Sequence, residues 1–121
     1  MRQNIKVLIV EDEALTRLLV ADFLKADGFE VFEAGNATEA IAVLEAHTDI
    51  HILFTDIDMP GSMDGLMLSA FVRDRWPPVR IVLTSGHRLV DILDLPDGGM
   101  FYSKPYDQVE VARSFREMMS A

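Results

Sequence analysis

Short apolar runs rich in β-branched residues alternate with helical patterns five times along this chain, and no other feature limits its fold so strongly. Ile5 to Val10 reads as a strand by length and composition. Ala14 to Ala26 follows with Leu15, Leu18, Leu19 and Phe23 at helical spacing, and Gly28 stops it. Glu30 to Ala34 is a second strand, and Asn36 with Glu39 makes a capping-box-like start to a helix with Ala37, Ala40, Ile41 and Leu44 on one face. Ile50 to Thr55 is the third strand, "PGSMDG" a loop, and Leu66 to Arg75 a helix ended by "WPP". Val79 to Thr84 is the fourth strand, Arg88 to Leu93 a short helix broken before Pro96, and Met100 to Ser103 a brief fifth strand. Asp107 with Glu110 repeats the capping pattern ahead of a last helix that turns Val111, Ala112, Phe115 and Met119 inward. Such alternation predicts an α/β fold, a doubly wound parallel sheet with right-handed crossovers.

With 121 residues the chain predicts one domain spanning 1–121, and half of them are hydrophobic, enough for a core. A formal net charge of -9 argues against a binder of nucleic-acid backbone. The absence of cysteine excludes disulfides and thiolate metal sites. No apolar run reaches the ~18 residues of a membrane span and no signal-like segment opens the chain, so the expected place is the cytosol, away from membranes.

The charge is not spread evenly. In doubly wound sheets, ligands bind outside the carboxyl ends of the strands, where strand order switches. Strand one ends on Glu11 and Asp12, strand three on Asp56 with Asp58 close behind, strand four on Thr84, and strand five is followed by Lys104. In the order 2-1-3-4-5, strands one and three are neighbours at the switch, and three carboxylates converge beside a hydroxyl and an ammonium. Carboxylates so packed repel one another unless a hard cation neutralises them. Mg2+ fits an all-oxygen donor set, and Mn2+ is accommodated by the same ligands. Metal, ammonium and hydroxyl around a carboxylate describe a phosphoryl-transfer site, with Asp56 as nucleophile.

"VLIVEDE", "ILFTDIDMPGSMDG", "IVLTSG" and "YSKPY", in that order and each at a strand end, resemble the receiver domain of two-component response regulators over essentially the whole chain. The resemblance implies a flavodoxin-like (βα)5 fold. It also implies a role for each matching residue. Asp56 resembles the phospho-acceptor, Asp12 the direct Mg2+ ligand, and Glu11 its partner acting through water. Asp58 stands where a backbone carbonyl completes the metal sphere. Thr84 matches the switch hydroxyl, Lys104 the lysine that pairs with a phosphoryl oxygen, and Phe101 the rotating switch aromatic. Lys104-Pro105 matches a bond that is typically cis in the family. Tyr102 should face the other way by strand alternation.

Three departures stand out. Ser62 is an extra residue in the loop after Asp56. Asp58 is acidic where many members are neutral. The interval from Thr84 to Lys104 is short and contains Pro96, which implies a stunted fourth helix and an altered output surface.

The implied function is a stand-alone signalling receiver, since no output domain follows Ala121. It takes a phosphoryl group from a histidine kinase or phosphotransfer protein and acts on a downstream protein, with a homodimer compatible. It is not an enzyme in the ordinary sense, catalysing only its own phosphorylation and dephosphorylation. Two other readings use the same residues. "DIDMP" resembles the Asp-x-Asp of haloacid-dehalogenase-type phosphatases, though the order of motifs is reversed. A receiver-like interaction module that is never phosphorylated usually lacks one of the residues present here.

Other residues have plainer explanations. Met59, Met63 and Met67 are expected to pack, as is Trp76 at a helix end. His47 and His51 span a helix end and a strand start, so a shared metal is not expected. His87 reads as a solvated loop residue.

Overall fold

A computed structural model describes residues 4–61, 63–86 and 99–120. Five parallel strands, β1 (Lys6–Val10), β2 (Glu30–Ala34), β3 (Ile52–Asp56), β4 (Arg80–Ser85) and β5 (Met100–Ser103), lie in the order β2-β1-β3-β4-β5. Four helices are described, α1 (Ala14–Ala26), α2 (Ala37–Ala46), α3 (Gly65–Arg75) and α4 (Gln108–Ser120). The expected sheet and strand order are therefore present. The short helix expected at 88–93, together with Ser62, His87 and Pro96, lies outside the described residues.

Strand alternation divides the apolar residues between two faces. Val7 and Ile9 of β1, Ile52 and Phe54 of β3, and Val82 of β4 face α1 and α4, where they meet Val20, Leu24, Val111 and Phe115. Leu8, Val10 and Leu53 face α2 and α3 and meet Ala40, Leu44, Leu68 and Val72. Phe115 packs edge-on against Phe29 at 5.9 Å and Phe54 at 5.4 Å between ring centroids. A third, smaller cluster of Ile57, Ile81 and Leu83 carries Phe101 at its margin.

The caps fall near the expected places. Asn36 accepts from the N–H of Glu39 at 2.9 Å, while Glu39 takes the N–H of Gly35 at 2.7 Å. At α4 the Asp107 carboxylate accepts from Val109. Gly28, at φ 98°, ends α1 in a conformation that suits glycine.

Several sequence expectations need correction. The leucines that marked α1 do not face the core: Leu15, Leu18 and Leu19 are 66, 47 and 57 % exposed, and the buried residues are Val20, Ala21 and Leu24. The strands β1, β3 and β4 begin one or two residues later than expected, and β3 runs through Asp56. Met59 and Met63 pack on the α2–α3 face, but Met67 is exposed. His51 Nδ1 accepts the N–H of Lys6 at 2.9 Å, whereas the His47 ring packs against Phe32, so the two histidines serve different contacts.

Candidate functional site

The carboxyl ends of β1, β3 and β4 form one rim, because register pairs Val10 with Thr55 and Asp56 with Thr84. Glu11, Asp12, Asp56, Asp58, Thr84 and Lys104 are thus all delivered within two residues of a strand's carboxyl end, whereas Phe101 lies inside β5. Asp56 is only 5 % exposed and Glu11 6 %, while Asp12 beside it is exposed. One carboxylate oxygen from each of Glu11, Asp12 and Asp56 lies within 4.8 Å of the others.

Lys104 reaches across from the end of β5. Its Nζ lies 2.8 Å from Glu11 Oε1 and 3.2 Å from Asp56 Oδ2. The Lys104 N–H donates to the Ser85 carbonyl at 3.0 Å, and the bond to Pro105 is cis, as the resemblance implied. Glu11 is held from three further sides: its N–H donates to the Ala34 carbonyl, its Oε2 accepts from the Glu13 N–H, and its carbonyl accepts from Arg17 at 2.7 Å. Arg17 is itself paired to Glu33 at 3.3 Å.

Three carboxylates against one ammonium leave the rim anionic. Burial pushes the proton affinity of Asp56 above that of an ordinary aspartate, and Lys104 only partly reverses this. Glu11 is raised for the same reason, again against the pull of Lys104. Burial lowers Lys104, but its two carboxylate partners outweigh that and leave it raised. A group of hard oxygen donors that holds its own protons too tightly is one that a small divalent cation would relieve. The donor set contains neither sulfur nor nitrogen ligands, which suits Mg2+ or Mn2+ better than softer metals.

Thr84 is 4 % exposed, and its Oγ1 finds no hydrogen-bond partner among the described residues. A buried orphan hydroxyl carries a free-energy penalty that a ligand oxygen can remove. Asp58 is not part of the carboxylate group. Its N–H approaches Asp56 Oδ1 at 3.4 Å, and its side chain turns to Ser85 instead. Phe101 stands off from the rim in the Ile57–Ile81–Leu83 cluster. Tyr102 takes the opposite face, packing towards Phe115, and its hydroxyl contacts Ser114.

Sequence reasoning did not find the contributions of Arg17 and Ser85, or of Tyr106. The Tyr106 ring packs against Phe54 at 5.5 Å, and burial pushes its hydroxyl pKa up to about 12. No spacing signal marks these three residues; only the position of Tyr106, two after Lys104, pointed towards the rim.

The response regulator receiver domain family model matches residues 7–116. The aerobic respiration control protein ArcA of Escherichia coli K12 is 34 % identical over 120 residues, covering 98 % of this chain and 50 % of ArcA. A putative NtrX-like response regulator of Rickettsia bellii is 36 % identical over 88 residues, 72 % of this chain and 18 % of that protein. The chain thus spans half or less of the length of these curated relatives. Among solved structures, the receiver domain of the hybrid histidine kinase CckA superposes with a TM-score of 0.78 at 31 % identity, over 94 % of this chain and 98 % of that one. A receiver domain protein from Clostridium thermocellum has a TM-score of 0.88 over 96 % of this chain and 94 % of its own, at 22 % identity, which speaks to the fold alone. With the match running from the first strand to the last helix, this chain belongs to the response regulator receiver domain family.

Proposed function

We propose that this receiver accepts a phosphoryl group on Asp56 and passes the event to a protein partner as a change of conformation. The observation that carries this reading is the surroundings of Asp56: a buried carboxylate with Lys104 Nζ at 3.2 Å, in register with Thr84, whose hydroxyl has no hydrogen-bond partner among the described residues. Glu11, Asp12 and Asp56, with the backbone carbonyl of Asp58, would hold Mg2+. When bound, the ion neutralises carboxylate charge and polarises phosphoryl oxygens.

The residues of the chain do the rest. An Asp56 carboxylate oxygen attacks phosphorus in line, the bond from phosphorus to the donor histidine nitrogen breaks, and that nitrogen keeps the electron pair. Lys104 leaves one of its two carboxylates to pair with a phosphoryl oxygen. Thr84 turns its hydroxyl to another phosphoryl oxygen. Thr84 follows Leu83 in β4, and Phe101 pairs in register with Leu83, so a shift of the β4 end as Thr84 turns would be felt by Phe101; Thr84 and Phe101 would thus be the switch. The phosphoryl donor is a histidine kinase or a phosphotransfer protein. Hydrolysis of the aspartyl phosphate returns the carboxylate and releases inorganic phosphate. A single receiver domain over 1–121 is sufficient for all of these steps.

Borohydride trapping tests the assignment. Reduction of an aspartyl phosphate yields homoserine, so the protein is incubated with acetyl phosphate and Mg2+, reduced and digested. Homoserine at position 56 is the expected result. Homoserine at Asp12 or Asp58, with Asp56 unchanged, would overturn it.

A further inference from the structure

One hydrogen bond at the rim is used by none of these roles. Ser85 closes β4, is 1 % exposed, and donates from Oγ to Asp58 Oδ2 at 2.5 Å. A hydroxyl–carboxylate bond of this length belongs to the strong, charge-assisted class. Asp58 lies in the loop between β3 and α3, two residues past Asp56, and its N–H approaches Asp56 Oδ1. The bond therefore ties the loop that follows the acceptor to the strand that carries Thr84.

Its position matters for charge. Asp56 pairs in register with Thr84, and Ser85 is the next residue along β4. A carboxylate tethered to Ser85 thus sits at the same strand ends as Asp56, on the β4 side. Asp58 is only partly buried, so water is within reach of its carboxylate. Left alone, an aspartate in a surface loop would turn towards that water, where distance and salt would weaken its field. The buried serine keeps it in place.

We propose that Ser85 is a positioning residue: it fixes the Asp58 carboxylate beside Asp56 as a standing negative charge that disfavours the phosphoryl-bearing state. The proposal rests on Asp56 being the acceptor. A phosphoryl group brings further negative charge to Asp56, and the fixed carboxylate repels it. Ser85 sets how strongly that repulsion is felt, and so biases the receiver towards its resting form.

The test is a titration with beryllium fluoride, a mimic of the phosphoryl group, at saturating Mg2+. It compares the unaltered protein with Asp58→Asn, Ser85→Ala and the double variant. Mg2+ affinity is measured separately for each, and circular dichroism checks folding. Asp58→Asn keeps an acceptor for Ser85 and removes the charge, so it should bind the mimic about three- to tenfold tighter. Ser85→Ala should tighten binding by a smaller factor and should add nothing once position 58 is Asn. Both gains should shrink as ionic strength rises from about 0.05 to 0.5 M. A serine that only supports packing would behave differently: its loss would weaken binding, persist in the Asp58→Asn background and ignore salt. Any of those three results would overturn the proposal, as would no change on Ser85→Ala. If the folded, unaltered protein does not bind the mimic, or Asp56→Asn binds it equally, the acceptor assignment fails and this proposal fails with it.

Discussion

Asp56 holds a charge that the fold does not welcome. Burial raises its proton affinity, so the folded state binds that proton more tightly than the unfolded chain does. The consequence for stability follows from linkage. Without metal, the Asp56 penalty is absent at low pH and grows as pH rises from its ordinary value of 3.8 through the raised one. Asp56→Asn should therefore stabilise the metal-free protein at neutral pH by roughly 0.5–2 kcal/mol, a gain commonly found when a functional residue is neutralised. Urea midpoints measured in a chelator across pH 3–8, a range of about the carboxylate and neutral regions, check this. The difference between the two proteins should open with rising pH; a difference that closes would contradict the burial argument. Mg2+ affinity should show the companion effect, falling as the pH drops through the raised values of Glu11 and Asp56, because the ligands must be ionised. A titration followed by calorimetry at two pH values reads it directly.

At the level of the elements, α3 starts on a glycine that packs directly against the end of β3. A Cβ on Gly65 would run into the carbonyl oxygen of Asp56 and lie 2.7 Å from the Ile57 Cα, both backbone atoms that cannot yield alone. Gly65→Ala should cost about 1–3 kcal/mol of stability, as overpacking does, and displace Asp56 as well. Urea unfolding and beryllium fluoride affinity should fall together in that variant. Element types were legible in the sequence because strand and helix periods differ and the runs were well separated. Strand ends were less so: β3 starts at Ile52 because that residue pairs with Val7, a register set by the neighbouring strand rather than by the apolarity of Ile50. On α1, two apolar stripes share the helical period. Ala21, small and fully buried, lets the helix approach the sheet on the Val20–Leu24 side, which leaves Leu15, Leu18 and Leu19 exposed. Nothing in local periodicity chooses between such stripes. The rim residues were readable because strand-end chemistry has few explanations, whereas the Ser85 contact spans 27 positions and depends on the register of β3 with β4.

The whole molecule joins a hydrophobic two-faced sheet to an anionic rim, and the first has to carry the second. Phe115, fully buried between Phe29 and Phe54, is a central member of that core, and Phe115→Ala should cost about 3–5 kcal/mol. A cation that binds only the folded rim should return stability by mass action, about 2.7 kcal/mol at a hundred times its dissociation constant. Thermal unfolding with and without Mg2+ should show that gain in the unaltered protein and a smaller one in Asp56→Asn, which lacks one ligand. Among the described residues no helix is long and apolar enough to cross a membrane. The central claim is that one carboxylate, Asp56, takes the phosphoryl group with the help of a divalent cation. Intact mass after incubation with acetyl phosphate measures it most directly, with Mg2+ or with a chelator, for the unaltered protein and for Asp56→Asn. One added phosphoryl group is expected in the unaltered protein with Mg2+ and none in the other three samples. The same adduct on Asp56→Asn, or an adduct formed equally well in chelator, would contradict the claim.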